Sequence, residues 1–104
     1  MKQSKVLSLL GLAARSRNVV SGEFATENSV KEGKAKLVMV AEDASDNTKK
    51  LFTNKCTYYH VPLVVYGEKE TLGHAMGKEV RSSLAITDSG FAKALMEQME
   101  TVWR

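Results

Sequence analysis

The sequence predicts an α/β fold, a three-layer αβα sandwich in which a sheet of about four strands lies between two layers of helices. Segments with apolar residues at helical spacing alternate along the chain with short apolar segments rich in β-branched residues, which predicts a mostly parallel or mixed sheet. One of these short segments, Lys36–Ala41, is apolar without alternation, as is typical of a strand covered on both faces. The 104 residues contain no internal repeat and no linker rich in Pro, Gly or Ser, so we expect one domain over residues 1–104.

The first half of the chain predicts a helix, a strand, a helix and a strand, at residues 3–14, 18–20, 23–32 and 36–41. In the first helix the apolar residues are spaced i, i+3, i+4 and i+7 and form one stripe of Val6, Leu9, Leu10 and Ala13. A break at Ser21-Gly22 separates the first strand from the second helix, and Gly33 is a favourable end for that helix.

The second half predicts a third helix capped within residues 43–45 and ending near Tyr59, followed by a strand at 61–66. A helix from Gly67 to about Met76, a strand at 84–86 and a last helix capped by Asp88 or Ser89 complete the chain. We expect one face of the third helix to be lined by Phe52, Cys56 and Tyr59, with Tyr58 also a packing residue. The stripe of the last helix comprises Phe91, Leu95, Met99 and Val102, and its Met96 and Trp103 are expected to pack in the core or on a partner.

The basic residues are concentrated in the first part of the chain. The net charge is +3 overall, but +4 over residues 1–40 and −1 over the rest. Arg15 and Arg17 precede Gly22, where a strand is expected to turn into a helix. A glycine there allows close backbone approach, and the helix start offers free N–H groups and the positive end of a dipole. This combination predicts a site for the phosphate backbone of a nucleic acid.

The residues that carry catalysis in other proteins are scattered here. The single cysteine, Cys56, excludes a disulfide within the chain and a cysteine zinc cluster, and favours a reducing cytoplasm. His60 and His74 lie in different elements, so we expect no metal, cofactor or catalytic residue. Glu42-Asp43 follows a strand, where α/β enzymes place carboxylates, and keeps an enzyme open as a remote hypothesis beside helix capping. Residues 6–14 are too short for a membrane span and are expected to form a helix and not a signal peptide.

Five segments of the chain resemble the kink-turn RNA-binding ribosomal protein family of the archaeal and eukaryotic L7Ae type, and within it the short bacterial YlxQ-like branch. The segments are GLAARSRNVVSGE, VKEGKAKLVMVAEDAS, YYHVPLVVY, LGHAMGK and LAITDSGFA. The blocks Gly33–Ser45 and Leu72–Gly77 carry the resemblance most specifically, and it extends over residues 3–100. It implies a sandwich with a four-stranded mixed sheet, and binding to an RNA duplex bent at a bulge flanked by sheared G·A pairs.

The resemblance also implies two surfaces that contact RNA. The first is the glycine turn with the start of the following helix, matched here by Gly22, Glu23, Phe24, Ala25 and Asn28. The second is the loop before the last strand, where apolar side chains support an extruded base, matched by Arg81, Ser82, Ser83 and Leu84. Three further cations are expected to contact phosphates: Arg15, Arg17 and Lys31.

The first surface departs from the ribosomal pattern, in which an Asn, a Glu and a Lys follow the glycine. The Asn, Glu and Lys positions are Phe24, Ala25 and Asn28 in this chain. Phe24 and Ala25 have no groups that hydrogen-bond a base edge, although Phe24 can stack on a base. We therefore expect a non-enzymatic, monomeric protein that binds structured RNA through its shape and phosphates, ribosome-associated or regulatory, without DNA specificity or membrane contact. The alternative is a protein-interaction module on the same fold, favoured by the apolar Phe24 and the Met/Trp-bearing last helix.

Overall fold

The computed structural model describes the backbone of residues 2–103 and the side chains of residues 5–99. Within these bounds the chain forms five helices and four strands in the predicted order. They are α1 (Lys2–Arg15), β1 (Val19–Ser21), α2 (Glu23–Lys31), β2 (Leu37–Val40), α3 (Asp46–Tyr59), β3 (Leu63–Val65), α4 (Lys69–Ala75), β4 (Ser83–Ile86) and α5 (Ser89–Trp103). The side chains of Val102 and Trp103, expected to pack, lie outside the described residues.

The four strands form one mixed sheet in the order β1-β4-β2-β3. β2 and β3 are parallel, whereas β4 runs antiparallel to both β1 and β2. β4 begins at Ser83, one residue before the predicted start, because Ser83 pairs with Val40 of β2. β4 and β2 are therefore the central strands, and β1 and β3 form the two edges.

Both faces of the sheet are covered by helices, as the sequence predicts. Every residue of β2 and β4 is buried, and successive residues of a strand point to opposite faces. One helical layer contains α1, packed against α4 and α5, and the other contains α2, packed against α3. The three-layer αβα sandwich with a four-stranded mixed sheet is thus confirmed.

The core contains most of the residues that the helical spacing selected. Val6, Leu10 and Ala13 of α1 are fully buried, as are Phe52 of α3 and Leu95 of α5. On α3 the residues at helical spacing are buried as far as Cys56, but those at the end of the helix are exposed. Tyr58 is 75% exposed and Tyr59 38% exposed, so their prediction as packing residues is wrong. The two rings lie on the last turn of the helix and contact each other edge to face, with 4.8 Å between their centroids.

The helix starts show which of the predicted caps form. Ser45 caps α3, since its Oγ accepts a hydrogen bond from the Thr48 N–H at 3.1 Å. Asp88 caps α5 in the same way, its Oδ2 accepting from the Phe91 N–H at 2.9 Å. Helix α4 begins two residues after the predicted Gly67, because Glu68 and Thr71 form a capping box that fixes the first turn at Lys69.

Gly73 positions the loop between α4 and β4. A Cβ at this residue would lie 2.6 Å from the Glu79 carbonyl oxygen and 2.9 Å from the Val80 nitrogen, so only a glycine admits this approach. The loop also returns to the helix through a hydrogen bond from the Lys78 N–H to the Gly73 carbonyl at 2.8 Å. The loop backbone is thereby held against α4.

Substituting Gly73 by Ala is expected to destabilise the protein by about 1–3 kcal/mol, because the new methyl group meets backbone atoms that cannot rotate away. The free energy of unfolding from urea titrations measures this change. Gly90→Ala is the comparison variant, and a smaller loss is expected from it, because its Cβ would meet no backbone atom but only the Asp88 side chain that caps α5, at 3.1 Å. Equal stability of the Gly73→Ala variant and the wild type would contradict the close approach.

Cys56 is a core residue, as its position on the α3 stripe predicts, and burial raises the pKa of its thiol to about 11. At pH 8 roughly one Cys56 thiol in a thousand is then ionised, and the thiolate is the reactive form. We expect a chromogenic disulfide reagent to label the folded protein far more slowly than the urea-unfolded protein. Since burial raises the thiol pKa from its ordinary value of 9.0, the free energy of unfolding is also expected to fall as the pH rises from about 9 to about 11. Fast labelling of the folded state would contradict the burial.

Candidate nucleic-acid interface

Gly22 makes the predicted turn between β1 and α2. Its φ of 94° lies in the region that favours glycine. Its N–H donates to the Ser83 carbonyl at 3.0 Å, which ties the turn to β4. A Cβ at Gly22 would meet nothing within 4 Å, so the space over this backbone is open to a ligand.

The first turn of α2 has N–H groups without a side-chain cap. Gly22 occupies the N-cap position and has no side chain to accept a hydrogen bond, and the first helical bond runs from the Thr26 N–H to the Gly22 carbonyl at 3.0 Å. The N–H groups of residues 23–25 therefore point out of the helix end, where the dipole is positive. This geometry suits a phosphate oxygen.

Phe24 dominates the surface beside these N–H groups. Its side chain is 79% exposed, and Asn28 lies one turn further along the same face. The neighbouring Glu23 is directed elsewhere, since its Oε1 accepts from the Thr48 hydroxyl at 3.3 Å and links α2 to α3. Ala25 is half-buried. An aromatic ring thus stands next to a phosphate-binding helix end.

The second predicted surface is smaller than the resemblance implies. Arg81 and Ser82 lie in the loop before β4 and are partly exposed. Ser83 and Leu84 belong to β4 and are fully buried, so the loop position that the resemblance implies for them is wrong, whereas the strand predicted from Leu84 onward is confirmed. Pairing with β1 and β2 draws both into the sheet, and Leu84 supports the loop from within the core.

Val80 supplies the exposed apolar side chain that Leu84 does not. It lies in the α4–β4 loop beside Arg81 and is 49% exposed. Sequence reasoning missed it because an isolated valine in a loop has no periodicity to mark it. The pattern of one apolar residue between Glu79 and Arg81, just before a strand, is the only sequence feature that distinguishes it.

Arg81 joins the two surfaces. Its Nε donates to the Ser21 hydroxyl at 3.0 Å, and its Nη1 donates to the Val80 carbonyl at 2.7 Å. Ser21 is the residue before Gly22, so the guanidinium lies between the glycine turn and the loop. The structure therefore brings Gly22, Phe24 and Arg81 to one end of the sheet.

The other predicted cations are not all at this end. Lys31 lies in the last turn of α2 and pairs with Glu27, with 3.7 Å between Nζ and Oε2. Nine helical residues extend about 13 Å, which separates Lys31 from the helix start. Arg15 and Arg17 lie before β1 and are exposed, and neither has a carboxylate at ion-pair distance among the residues whose side chains are described.

Glu42 and Asp43 are the carboxylates of the enzyme hypothesis, and Asp43 has a structural role at the start of α4. Asp43 Oδ1 accepts from the Lys69 N–H at 2.9 Å and so fixes the start of α4. Glu42 is exposed, and next to it the pKa of Tyr66 is raised, first by burial and then by the Glu42 charge. Over the described residues no group of three or more His, Cys, Asp or Glu side chains could hold a metal ion, and no helix is long and apolar enough to cross a bilayer.

Comparison with known proteins decides the family. The model of the ribosomal protein L7Ae/L30e/S12e/Gadd45 family matches residues 4–96. The chain belongs to this family. The match spans every element from α1 to the middle of α5, and so includes both surfaces described above.

Two curated members of the L7Ae family are similar over nearly the whole chain. The RNA-binding protein YlxQ of Bacillus subtilis is 47% identical over 92 residues, which are 88% of this chain and 92% of that protein. The RNA-binding protein YlxQ of Enterococcus faecium is 39% identical over 98 residues, 94% of each chain. The chain thus falls in the bacterial YlxQ branch of the family.

Solved structures agree with this assignment. A Bacillus halodurans protein of unknown function superposes with a TM-score of 0.90 at 40% identity, over 92% of this chain and 97% of that one. The 15.5 kDa RNA-binding protein of Giardia lamblia superposes with a TM-score of 0.80 at 25% identity, over 97% of this chain and 87% of that one. The fold is therefore shared from bacterial to eukaryotic relatives.

Proposed function

We propose that this protein is a non-enzymatic RNA-binding protein of the L7Ae family that recognises structured, kink-turn-like RNA. The observation that carries the proposal is the uncapped helix start at Gly22, joined to the α4–β4 loop by the hydrogen bond from Arg81 to Ser21. Two curated relatives of the same branch are named RNA-binding proteins, and a eukaryotic structural relative has the same description. Ribosomal RNA and a regulatory RNA are both suitable ligands for a monomeric cytoplasmic protein of this kind.

The chemistry of the surface favours contacts with shape and phosphate over contacts with base edges. N–H groups at the start of α2 bind a phosphate oxygen close to the open backbone of Gly22. Phe24 stacks on an unpaired base, and Val80 with the half-buried Arg81 supports the opposite side of the bend. Because Phe24 and Ala25 offer no hydrogen bonds to base edges, affinity depends on the bend of the RNA and on its charge.

The remaining residues of the proposed surface have secondary roles. Glu23 holds α2 against α3, and Asn28 extends the face of Phe24 by one turn. Ser82 lies in the loop, while Ser83 and Leu84 hold that loop from the core. Arg15, Arg17 and Lys31 are cations at its margins, of which Lys31 is already paired with Glu27.

A protein-interaction module on the same fold is the second candidate, and the exposure of Phe24 favours it. A phenylalanine that is 79% exposed also suits an apolar pocket on a protein partner. Nuclease treatment before affinity purification separates the two functions. Partners that survive the treatment, with no co-purifying RNA, would favour the interaction module.

The wild-type protein is expected to bind a fluorescent kink-turn RNA more tightly than an unkinked duplex of equal length, because a bent RNA can contact both proposed surfaces at once. Contacts to roughly three phosphates give a slope of about −3 for log K against log salt concentration. Fluorescence anisotropy titrations at two KCl concentrations measure both quantities. Equal affinity for the two RNAs would reject kink-turn recognition, and absence of binding to either would reject RNA as the partner.

Phe24→Ala is expected to weaken binding of the kink-turn RNA by about fivefold to 100-fold, the range for loss of one stacked base. The variant should keep the stability of the wild type within about 0.5 kcal/mol, because the ring is exposed. Tyr58→Ala is the matched control, since Tyr58 is an equally exposed aromatic residue at the far end of α3. If Phe24→Ala binds RNA like the wild type but no longer binds a nuclease-resistant protein partner, Phe24 contacts that protein and not RNA.

A further inference from the structure

A cleft of about 250 Å³ lies along the outer side of β1, in the helical layer opposite to α2. It is lined by the ends of α1 and α4, by β1 and by the α4–β4 loop. The lining residues are Ala14, Arg17, Val19, Ser21, Met76 and Lys78. Val19 and Ser21 alternate along β1 and so present the same face of that edge strand.

The cleft exists because two closely crossing helices end at the same place. A Cβ at Gly11 of α1 would lie 3.0 Å from the Ala75 carbonyl oxygen. The end of α4 therefore packs closely against the backbone of α1 at Gly11. Helix α4 ends there at Ala75, and the positive φ of Gly77 turns the chain away. Helix α1 ends at Arg15, one turn after its contact with α4. The surface of β1 beyond both helix ends is left open.

The lining combines an apolar floor with two cations. Ala14, Val19 and Met76 are half-buried and apolar, whereas Arg17 and Lys78 are exposed. Neither cation has a carboxylate at ion-pair distance within the side chains described for residues 5–99. In the wall, the Ser21 hydroxyl accepts from Arg81 Nε at 3.0 Å, so a third cation borders the cleft. Unpaired cations over an apolar floor suit the phosphate and the ribose or base of one nucleotide.

Arg17 occupies a backbone position that favours glycine. Its φ is 65°, and it ends α1 in a Schellman motif, with the Asn18 N–H donating to the Ala13 carbonyl at 2.8 Å and its own N–H to the Ala14 carbonyl at 3.1 Å. A side chain in this left-handed conformation costs stability, and such a cost is often retained where the side chain has a function. Here the side chain reaches the cleft.

We propose that this cleft binds one nucleotide of the RNA strand that passes the start of α2, with its phosphate on Arg17 and Lys78 and its ribose or base on Val19 and Met76. The proposal rests on the proposed RNA-binding function and extends the contact surface to the opposite helical layer. The cleft is continuous with the proposed RNA-binding surface, because Ser21 in the cleft wall directly precedes Gly22. This continuity supports RNA as the occupant. The three residues of β1, which lie between Arg17 and the start of α2, span about 10 Å.

The test compares Arg17→Gly and Lys78→Ala with the wild type in anisotropy titrations of the kink-turn RNA over a series of KCl concentrations. Each substitution is expected to weaken binding by about fivefold to tenfold at 0.1 M KCl and to lower the salt slope by about one. Arg17→Gly should also raise the urea midpoint, because glycine fits the left-handed position. Loss of affinity in a variant that is more stable than the wild type excludes misfolding as the cause.

Two matched controls and one uncharged variant complete the design. His60→Gly relieves the same left-handed strain at the end of α3, and Lys93→Ala removes an exposed cation from α5; both should bind RNA like the wild type. Ala14→Leu fills the cleft without changing its charge and should weaken binding while the salt slope stays constant.

The outcomes separate the cleft from the proposed function. If Arg17→Gly, Lys78→Ala and Ala14→Leu bind like the wild type while Phe24→Ala binds weakly, the cleft assignment is overturned and RNA binding stands. If the wild type binds no RNA, both are overturned. Amide NMR titrations with AMP and with inorganic phosphate test whether the cleft binds a free small molecule and not a nucleotide of an RNA strand. Tight binding of either probe in the cleft, without competition from RNA, would overturn RNA as the occupant.

Discussion

The hydrogen bond from the Gly22 N–H to the Ser83 carbonyl, 3.0 Å long, is the constraint on which the candidate interface depends. It extends the antiparallel ladder of β1 and β4 by one step beyond the Ser21–Leu84 pair, to the point where β1 ends and β4 begins. Helix α2 starts on one side of this bond and the α4–β4 loop ends on the other. Because β4 is also paired to β2, the whole sheet fixes the distance between the two surfaces.

The side chains add rigidity to this backbone arrangement without adding specificity for base edges. Arg81 is held by Ser21 and by the Val80 carbonyl, and Gly73 holds the loop that contains Val80 against α4. The groups aimed outward are N–H dipoles, an aromatic ring, a valine and cations. Such groups recognise phosphates and stacked bases, which every RNA has, so selectivity must come from how far apart and at what angle they are held.

The order of the elements and the glycine turn could be predicted from the sequence because both depend on local patterns. Helical spacing, continuous apolarity in β2 and a Ser-Gly break are properties of neighbouring residues. Predictions failed where burial depends on distant pairing. Ser83 is in the sheet because it pairs with Val40 of β2, and Tyr58 is exposed on the last turn of α3 although it adjoins an apolar stripe. Val80 and the cleft beside β1 result from tertiary packing and leave no periodic pattern in the sequence.

The edge position of β1 determines the path of an RNA that would reach both of the proposed contact sites. The start of α2 and the cleft beside Arg17 belong to opposite helical layers, and only the three residues of β1 separate them. An RNA that bends around β1 contacts both, and the added phosphate contacts offset the free energy of bending. Under the proposed function, discrimination between bent and straight RNA would follow from the topology of the sheet edge, because Phe24 and Ala25 offer no hydrogen bonds to base edges.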